Sequence, residues 1–382
     1  MRGLIDNLAR SLRFGAALVL AYVVLGLVAA FPSARAAQPE KTDVKIALAS
    51  TTMTPGYPFL FVPKALGYWK DEGVNVEVLL TQGSTQVLQL LASGQADIGI
   101  VNAEPVVISD QMQHLGIVSV AAVCPIFGWS ITVPEGSPIK SPKDLKGKTI
   151  GVFSLASGGI PYLKAKLKEA GLDPDTDVSM LPVGFGATAG QALKSGTVSA
   201  LVLWTAAVVG LENSGLKLTK LPRSPWEEQL YSFVAVATQT TIKERPEMIT
   251  RTLRGIAKGS DFTAARPEAA TQAFWNLYPD VVNKTLPPEI AFRNDTRIVE
   301  GQLSDMGLES ALYPKPPARL WGEQSADHWA ALQDYLLKAG QVKERLDPTT
   351  YFTDAFTKAA NDYDHRAVVQ QAKDYEISVK TE

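Results

Sequence analysis

The chain has 382 residues, 46% of them apolar and 20% charged, with a formal net charge of −2. At about 150 residues per domain, that length implies two or three domains or lobes and ample chain for a buried core. The composition argues against a disordered chain or a coiled coil, and mild acidity without a basic stripe argues against nucleic acid as a partner. One cysteine, Cys124, cannot form an internal disulfide, and His114, His328 and His365 stand too far apart for a zinc motif. Neither a metal nor a cofactor is expected.

At the N-terminus, Arg10 and Arg13 precede an apolar run from Phe14 to Phe31, followed by Pro32-Ser33-Ala34-Arg35-Ala36. A basic start, an apolar stretch and an Ala-x-Ala end predict a cleavable secretory signal peptide over residues 1–36, and hence a periplasmic protein. The alternative is a retained membrane anchor. No other stretch reaches the ~18 apolar residues of a membrane span. Val198 to Leu211 comes nearest, but Ser199, Thr205 and Gly210 interrupt it. It reads as a buried strand running into a helix.

The mature chain then reads as strands alternating with helices. A strand at Val44–Ser50 leads to a helix at Pro58–Lys70, a strand at Val74–Leu80, a helix at Thr85–Ala92 and a strand ending at Asn102. Phe127–Val133 leaves this first lobe, and Ser141–Lys148 enters a second. There the order returns: a strand to Ser154, a helix at Ile160–Ala170, a strand at Val178–Val183, a helix at Thr188–Lys194 and a strand ending at Trp204. Three landmarks recur at offsets of 104, 103 and 102 residues: the strand ending in Ser50 or Ser154, Gly83-Ser84-Thr85 or Gly186-Ala187-Thr188, and Ser93-Gly94 or Ser195-Gly196. Recurrence in one order at near-constant spacing is the signature of an internal repeat. Each half is β-α-β-α-β, which predicts an α/β protein of two lobes, each a mostly parallel sheet flanked by helices.

After Leu221 the chain turns, and Leu230–Ala237 reads as a strand returning to the first lobe. Helices follow at Glu244–Ala265, Pro267–Tyr278 and Ser325–Lys338. The expected organisation is residues 42–130 as the first segment of lobe 1, 131–225 as lobe 2, 226–363 completing lobe 1, and 364–382 as a charged tail.

Ala65-Leu66-Gly67-Tyr68-Trp69-Lys70-Asp71-Glu72-Gly73-Val74, Ser93-Gly94-Gln95-Ala96-Asp97-Ile98-Gly99-Ile100 and Ser141-Pro142-Lys143-Asp144-Leu145-Lys146-Gly147-Lys148-Thr149-Ile150-Gly151-Val152 resemble the periplasmic substrate-binding proteins of ABC importers. The branch they are most similar to binds nitrate, sulfonates, taurine or thiamine-pyrimidine precursors. The resemblance spans about residues 42–350. It implies a type II, lobe-swapped binding-protein fold, capture of a small molecule by lobe closure, and delivery to an inner-membrane permease with a cytoplasmic ATPase. The protein is expected to be a monomer.

In open α/β sheets, ligands bind beyond the carboxyl ends of the strands. Those ends carry Ser50, Thr51 and Tyr57; Gln82 and Gly83; Asn102 and Glu104; Ser154, Ser157, Gly158 and Gly159; Phe185 and Gly186; and Trp204. Ser157–Gly159 opens a helix whose free N–H groups can hold an acceptor or anion, or it is simply a capped loop with Pro161 in the first turn. Trp204 floors a pocket or packs in the core. Tyr57 is a lid aromatic or turn packing. Glu104 is a site carboxylate or a solvated residue in a helix's first turn. Trp129 reads as hinge packing, and Trp69 as core. Asp97 reads as structural.

These loops contain no Lys or Arg, which argues against an anion clamp built on Arg. Stacking aromatics, small hydroxyls and one carboxylate favour a flat heterocycle with hydrogen-bonding edges, such as an amino-pyrimidine, whose amine faces Glu104. The alternative is a sulfonate or aromatic acid held by backbone N–H groups. An enzyme of pyrimidine-precursor synthesis on this fold needs clustered cysteines and a reactive histidine, which the strand-end loops lack. A ligand-sensing partner of a membrane receptor has the same cleft as a transporter component.

Overall fold

The computed structural model describes residues 43–308 and 320–379, so the expected signal peptide lies outside the described residues. Two five-stranded sheets form the skeleton. The first runs β2-β1-β3-β10-β4 and the second β7-β6-β8-β5-β9. In the first, β1 (Asp43–Leu48), β2 (Asn75–Leu80) and β3 (Ile98–Asn102) are parallel, with Leu48 opposite both Leu80 and Ile100. In the second, β6 (Thr149–Val152), β7 (Ser179–Pro182) and β8 (Ala200–Leu203) repeat that arrangement.

Two strands break the parallel set, and they are the two that cross between lobes. β5 (Ser130–Pro134) enters the second sheet antiparallel to β8, and β10 (Phe233–Thr238) returns to the first antiparallel to β3. The outer strands β4 (Ile117–Ala122) and β9 (Leu218–Lys220) complete the two sheets, and neither is anticipated from the sequence pattern. The lobe swap is therefore a matter of β connectivity.

The crossover helices of lobe 1 are α1 (Pro58–Ala65), α2 (Tyr68–Asp71), α3 (Ser84–Ala92) and α4 (Ala103–Gln113). The single helix expected over Pro58–Lys70 is interrupted because Gly67 adopts φ 75°, a left-handed turn open to glycine at little cost. Lobe 2 has α5 (Gly159–Glu169), α6 (Ala187–Lys194) and α7 (Thr205–Asn213). Val44, Ile46, Leu48, Ile98 and Ile100 are all buried, as expected for strands covered on both faces.

Past β10, α8 (Gln239–Glu244) stops at Arg245, since Pro246 opens a new helix, α9 (Pro246–Ala265). The helix expected from Glu244 therefore starts two residues later. α9 and α10 (Pro267–Leu277) cover α1 of lobe 1. α11 (Pro288–Asp305) instead reaches lobe 2 and packs on α7, where Arg297 and Asn213 hydrogen-bond at 2.7 Å. The segment following the return strand is therefore shared between the lobes. α12 (Ala326–Lys338) starts at Ser325, whose side chain caps it by accepting the Asp327 N–H. After α13 (Thr357–Ala360), the stretch expected as a charged tail folds into α14 (His365–Asp374), which inserts Val368 and Ala372 into a separate apolar cluster with Phe262 and Phe274. Only those two residues face inward, too few for a clear apolar stripe in the sequence. No helix among the described residues is long and apolar enough to cross a membrane.

Candidate functional site

The carboxyl ends of β1, β2 and β3 meet those of β6, β7 and β8 across the space between the lobes, and the lobes are closed on each other. Ser154 Oγ, after β6, donates to the carbonyl of Gln82, after β2, at 2.6 Å. Thr85 N–H and Oγ1 approach the Ala156 carbonyl at 3.4 and 3.5 Å. A Cβ on Gly83 would lie 2.5 Å from that carbonyl, and one on Gly158 would lie 2.3 Å from the Asn102 side chain. Both glycines therefore permit close approach of the two lobes.

The lobe 2 side of this interior is aromatic. Trp204 caps β8 and is almost fully buried, with Trp129, Phe153 and Phe185 around it at ring-centroid distances of 5.6, 5.8 and 5.2 Å, all edge-on. Edge-to-face packing fixes such rings firmly. The lobe 1 side is polar. Asn102 is buried, with its N–H on Ser84 Oγ and its side-chain amide near the Ser232 carbonyl at 3.5 Å. Glu104, in the first turn of α4, is fully buried, which excludes the solvated alternative.

Several buried polar groups here find no hydrogen-bond partner in the protein: both carboxylate oxygens of Glu104, the hydroxyls of Ser157, Ser232 and Tyr335, and the indole N–H of Trp129. Buried polar groups are nearly always paired, so each of these is open to a partner that the chain itself does not supply. Burial pushes the Glu104 pKa up to about 8; its own N–H and the Tyr335 hydroxyl stand close without completing a bond and offset this only in part. Burial likewise raises the Tyr57 hydroxyl above its usual range.

A second raised carboxylate lies behind the aromatic wall. Thr205 has one hydroxyl proton and two acceptors in reach, Asp305 Oδ1 at 2.8 Å and the Gly128 carbonyl at 3.1 Å. Both contacts are satisfied if Asp305 holds a proton and donates it to Thr205. Burial, which pushes the Asp305 pKa up to about 7, acts in the same direction.

The expected residues fall into three groups. Tyr57, Asn102, Glu104, Ser157, Gly158, Gly159 and Trp204 are all buried, and half-buried Phe185 packs on Trp204. Ser50, Ser154, Gly83 and Gly186 shape the loops: Ser50 Oγ donates to the Thr52 carbonyl, and Gly186 caps α6 at φ 66°. Thr51 and Gln82 are exposed. Their side chains stand outside the interior, and Gln82 meets lobe 2 through its backbone.

Of the two readings of Tyr57, the structure shows packing. The residue is an internal wall, its ring packed edge-on against Phe59 and Phe233 at 6.1 and 6.3 Å. Trp129 is more than hinge packing, since its ring abuts Gly159 and Trp204 with the indole N–H unpaired. Tyr335 and Ser232 were missed because nothing local marks them. Each reaches the interior from the C-terminal half, where only the tertiary fold brings them to Glu104 and Asn102. Asp97 is structural: it accepts the Lys45 N–H and pairs with Arg245 at 2.8 Å.

Two swapped α/β lobes closed over unpaired polar groups define the architecture of a periplasmic binding protein. The chain belongs to the family described as NMT1/THI5 like, which matches residues 54–270. It is similar to the formylaminopyrimidine-binding protein of Halalkalibacterium halodurans, 25% identical over 79% of this chain and 86% of that one. It is also similar to the 4-amino-5-hydroxymethyl-2-methylpyrimidine phosphate synthase of Aspergillus parasiticus, 22% identical over 62% of this chain and 72% of that one. Among solved structures, it shares the fold of the alkanesulfonate-binding protein SsuA from Xanthomonas axonopodis pv. citri bound to MOPS. The TM-score is 0.61 and the identity 17%, over 82% of this chain and 99% of that one. The family and its neighbours are mainly binding proteins.

Proposed function

We propose that the protein is an extracytoplasmic solute-binding component of an ABC importer, which captures a small organic molecule between its lobes and passes it, unchanged, to a membrane permease driven by a cytoplasmic ATPase. The observation that supports this reading is the set of unpaired buried polar atoms, with an aromatic cluster in lobe 2, near the strand ends of two lobes in contact. The basic and apolar start of the chain supports export to the periplasm. Binding requires only lobe closure within one chain, which supports action as a monomer. The ligand favoured by the geometry is a flat heterocycle bearing an amine. Its ring edges would meet Asn102, Ser157 and the Trp129 N–H, its face Trp204, and its amine Glu104. The similarity to a formylaminopyrimidine-binding protein points the same way.

An anion is the second reading, favoured by one observation. With its pKa near 8, Glu104 is protonated at neutral pH and does not repel a sulfonate or carboxylate. Proton linkage separates the two. A thermal-shift screen across heterocycles and organic acids identifies ligands, since one at 100 times its Kd adds about 2.7 kcal/mol of stability. Calorimetry in two buffers of different ionisation enthalpy then counts protons. A cationic amine should ionise Glu104 and release close to one proton, and Glu104→Gln should cost it roughly 1.5–3 kcal/mol. An anion should release none and tolerate Gln. A small-angle scattering profile unchanged by every stabilising ligand would refute capture by lobe closure. A product accumulating with time in mass spectra of the mixture would place the protein with the synthases instead.

A further inference from the structure

A groove of about 270 Å³ opens beside the interior, lined by lobe 1 residues of α3 and α4 and by the lobe 2 loop and helix start at residues 155–161. It therefore exists only with the lobes together, under the contact between Thr85 and Ala156. Its lining is free of charge. Ile108, Met112 and Leu115 on the lobe 1 side face Leu155, Ile160 and Pro161 on the other. Met112 and Leu155 are large apolar residues left 70% and 62% exposed, which is unusual for two side chains at the mouth of one depression.

The groove borders the strand-end residues at two points. Pro105 lines it and directly follows Glu104 in the first turn of α4. Ser157 also lines it, and the Ser157 hydroxyl is buried without a partner. From Pro105 to Met112 the groove follows seven residues of helix, about 10 Å.

We propose that this groove is a subsite for an uncharged apolar substituent of the captured molecule, so that the ligand class is a polar, hydrogen-bonding head with an apolar tail. The inference rests on the reading of the interlobe interior as the ligand site and extends it. The occupant follows from the unpartnered Ser157 hydroxyl in the lining and from the uncharged, apolar character of the rest. A charged group here would be desolvated without a counter-charge, whereas each buried methylene strengthens binding by about four-fold. Ser157 stands where head and tail join, able to bond a polar atom at the root of the substituent.

Two measurements on the full mature protein test the proposal. The first uses N-phenyl-1-naphthylamine, an uncharged probe that fluoresces in apolar surroundings. Wild type should bind it saturably at one per chain. Met112→Asp and Leu155→Asp should each weaken it at least ten-fold with unchanged melting temperatures, because both side chains are exposed and fold without strain. The second uses 4-amino-2-methylpyrimidine and its 5-alkyl homologues from methyl to hexyl. Affinity should climb about four-fold per methylene in wild type, and the slope should flatten in Leu155→Asp while the methyl member still binds. Non-saturable probe binding, or binding indifferent to both substitutions, overturns the subsite. So does a series in which the parent binds and lengthening gains nothing, an outcome that leaves the proposed function standing. A probe bound by wild type and weakened by both substitutions, with no pyrimidine bound at all, upholds the subsite and removes the amino-heterocycle as the head.

Discussion

At equivalent places in the repeat, Asn102 ends β3 and leads into α4, whose first turn holds Glu104, whereas Trp204 follows β8 and leads into α7, which opens at Thr205. The backbone event is the same: a buried parallel strand in the middle of its sheet, then a helix whose first turn faces the other lobe. The chemistry is not. Lobe 1 presents an amide and a carboxyl group, and lobe 2 presents an indole backed by Trp129, Phe153 and Phe185. Duplication thus copies geometry and leaves each copy free to hold a different part of one molecule. A division into a stacking lobe and a hydrogen-bonding lobe follows, and it makes predictions that differ by lobe.

The largest effect falls on lobe 2. Trp204→Ala should destabilise the protein by about 3–5 kcal/mol, because three aromatic neighbours lose their common partner and the cavity cannot collapse. Asn102→Ala, the matching change in lobe 1, should cost about 1 kcal/mol, since its amide contact to Ser232 is long at 3.5 Å. Urea unfolding of both variants measures this. Equal losses would mean that lobe 1 is packed as its partner is, and the division would fail.

Closure comes next. Gly158→Val places a branched side chain where a Cβ already lies 2.3 Å from Asn102. Overpacking of about 1–3 kcal/mol, felt only when the lobes meet, should weaken any captured ligand about 10–100-fold while leaving the melting temperature of the free protein nearly unchanged. Calorimetry and thermal unfolding of the same variant test it. A large loss of stability without ligand would show that the closed contact belongs to the core of the fold.

The two buried carboxyl groups sharpen the comparison through pH. Glu104 and Asp305 both have pKa values raised by burial, to about 8 and about 7. An unfolded Glu ionises near pH 4.3 and an unfolded Asp near pH 3.9, so between about pH 4 and pH 7–8 the folded state holds protons that the unfolded state has released. Stability must therefore fall as pH rises through this window, by up to about 1.4 kcal/mol per pH unit for each group. Glu104→Gln should remove its share and flatten the slope, with little difference from wild type below pH 4.5. A wild-type minus variant difference constant from pH 5 to 8 would show that Glu104 is ionised in the fold.

What could be read from the chain alone follows the same physics. The three parallel strands of each lobe, their helices and the return strand are local patterns, an apolar run followed by Ser-Gly or Gly-Ser-Thr, and the repeat doubles each signal. β9, three residues at a sheet edge, has too short a pattern to register. Ser157, Gly158, Asn102 and Trp204 are legible because strand ends in this architecture face the cleft. The burial of Glu104 is not, because it depends on Tyr335 arriving from a helix more than two hundred residues later. Its position in the crossover assigns Trp129 to the hinge. That position is correct, but a hinge strand in a swapped fold also borders the cleft.

Gln82, after β2, and Ser154, after β6, meet across the lobes and give the smallest effect. Sequence position assigns both to the site, yet the exposed Gln82 side chain contributes nothing across the interface, and its carbonyl accepts the Ser154 hydroxyl at 2.6 Å. Truncating Gln82 to Ala leaves that carbonyl in place and should change ligand affinity by less than about two-fold, as expected of an exposed position. Ser154→Ala removes the donor. The bond forms only when the lobes close, and one neutral hydrogen bond contributes about 1 kcal/mol, so affinity should drop about five-fold. The same change also removes an acceptor for the Ala156 N–H, bonded at 3.2 Å within the loop. Ser154→Thr retains both roles and should restore wild-type affinity. If Gln82→Ala were the more damaging of the two, the side chain and not the backbone would carry the contact, and the lobes would meet by a different bond from the one seen here.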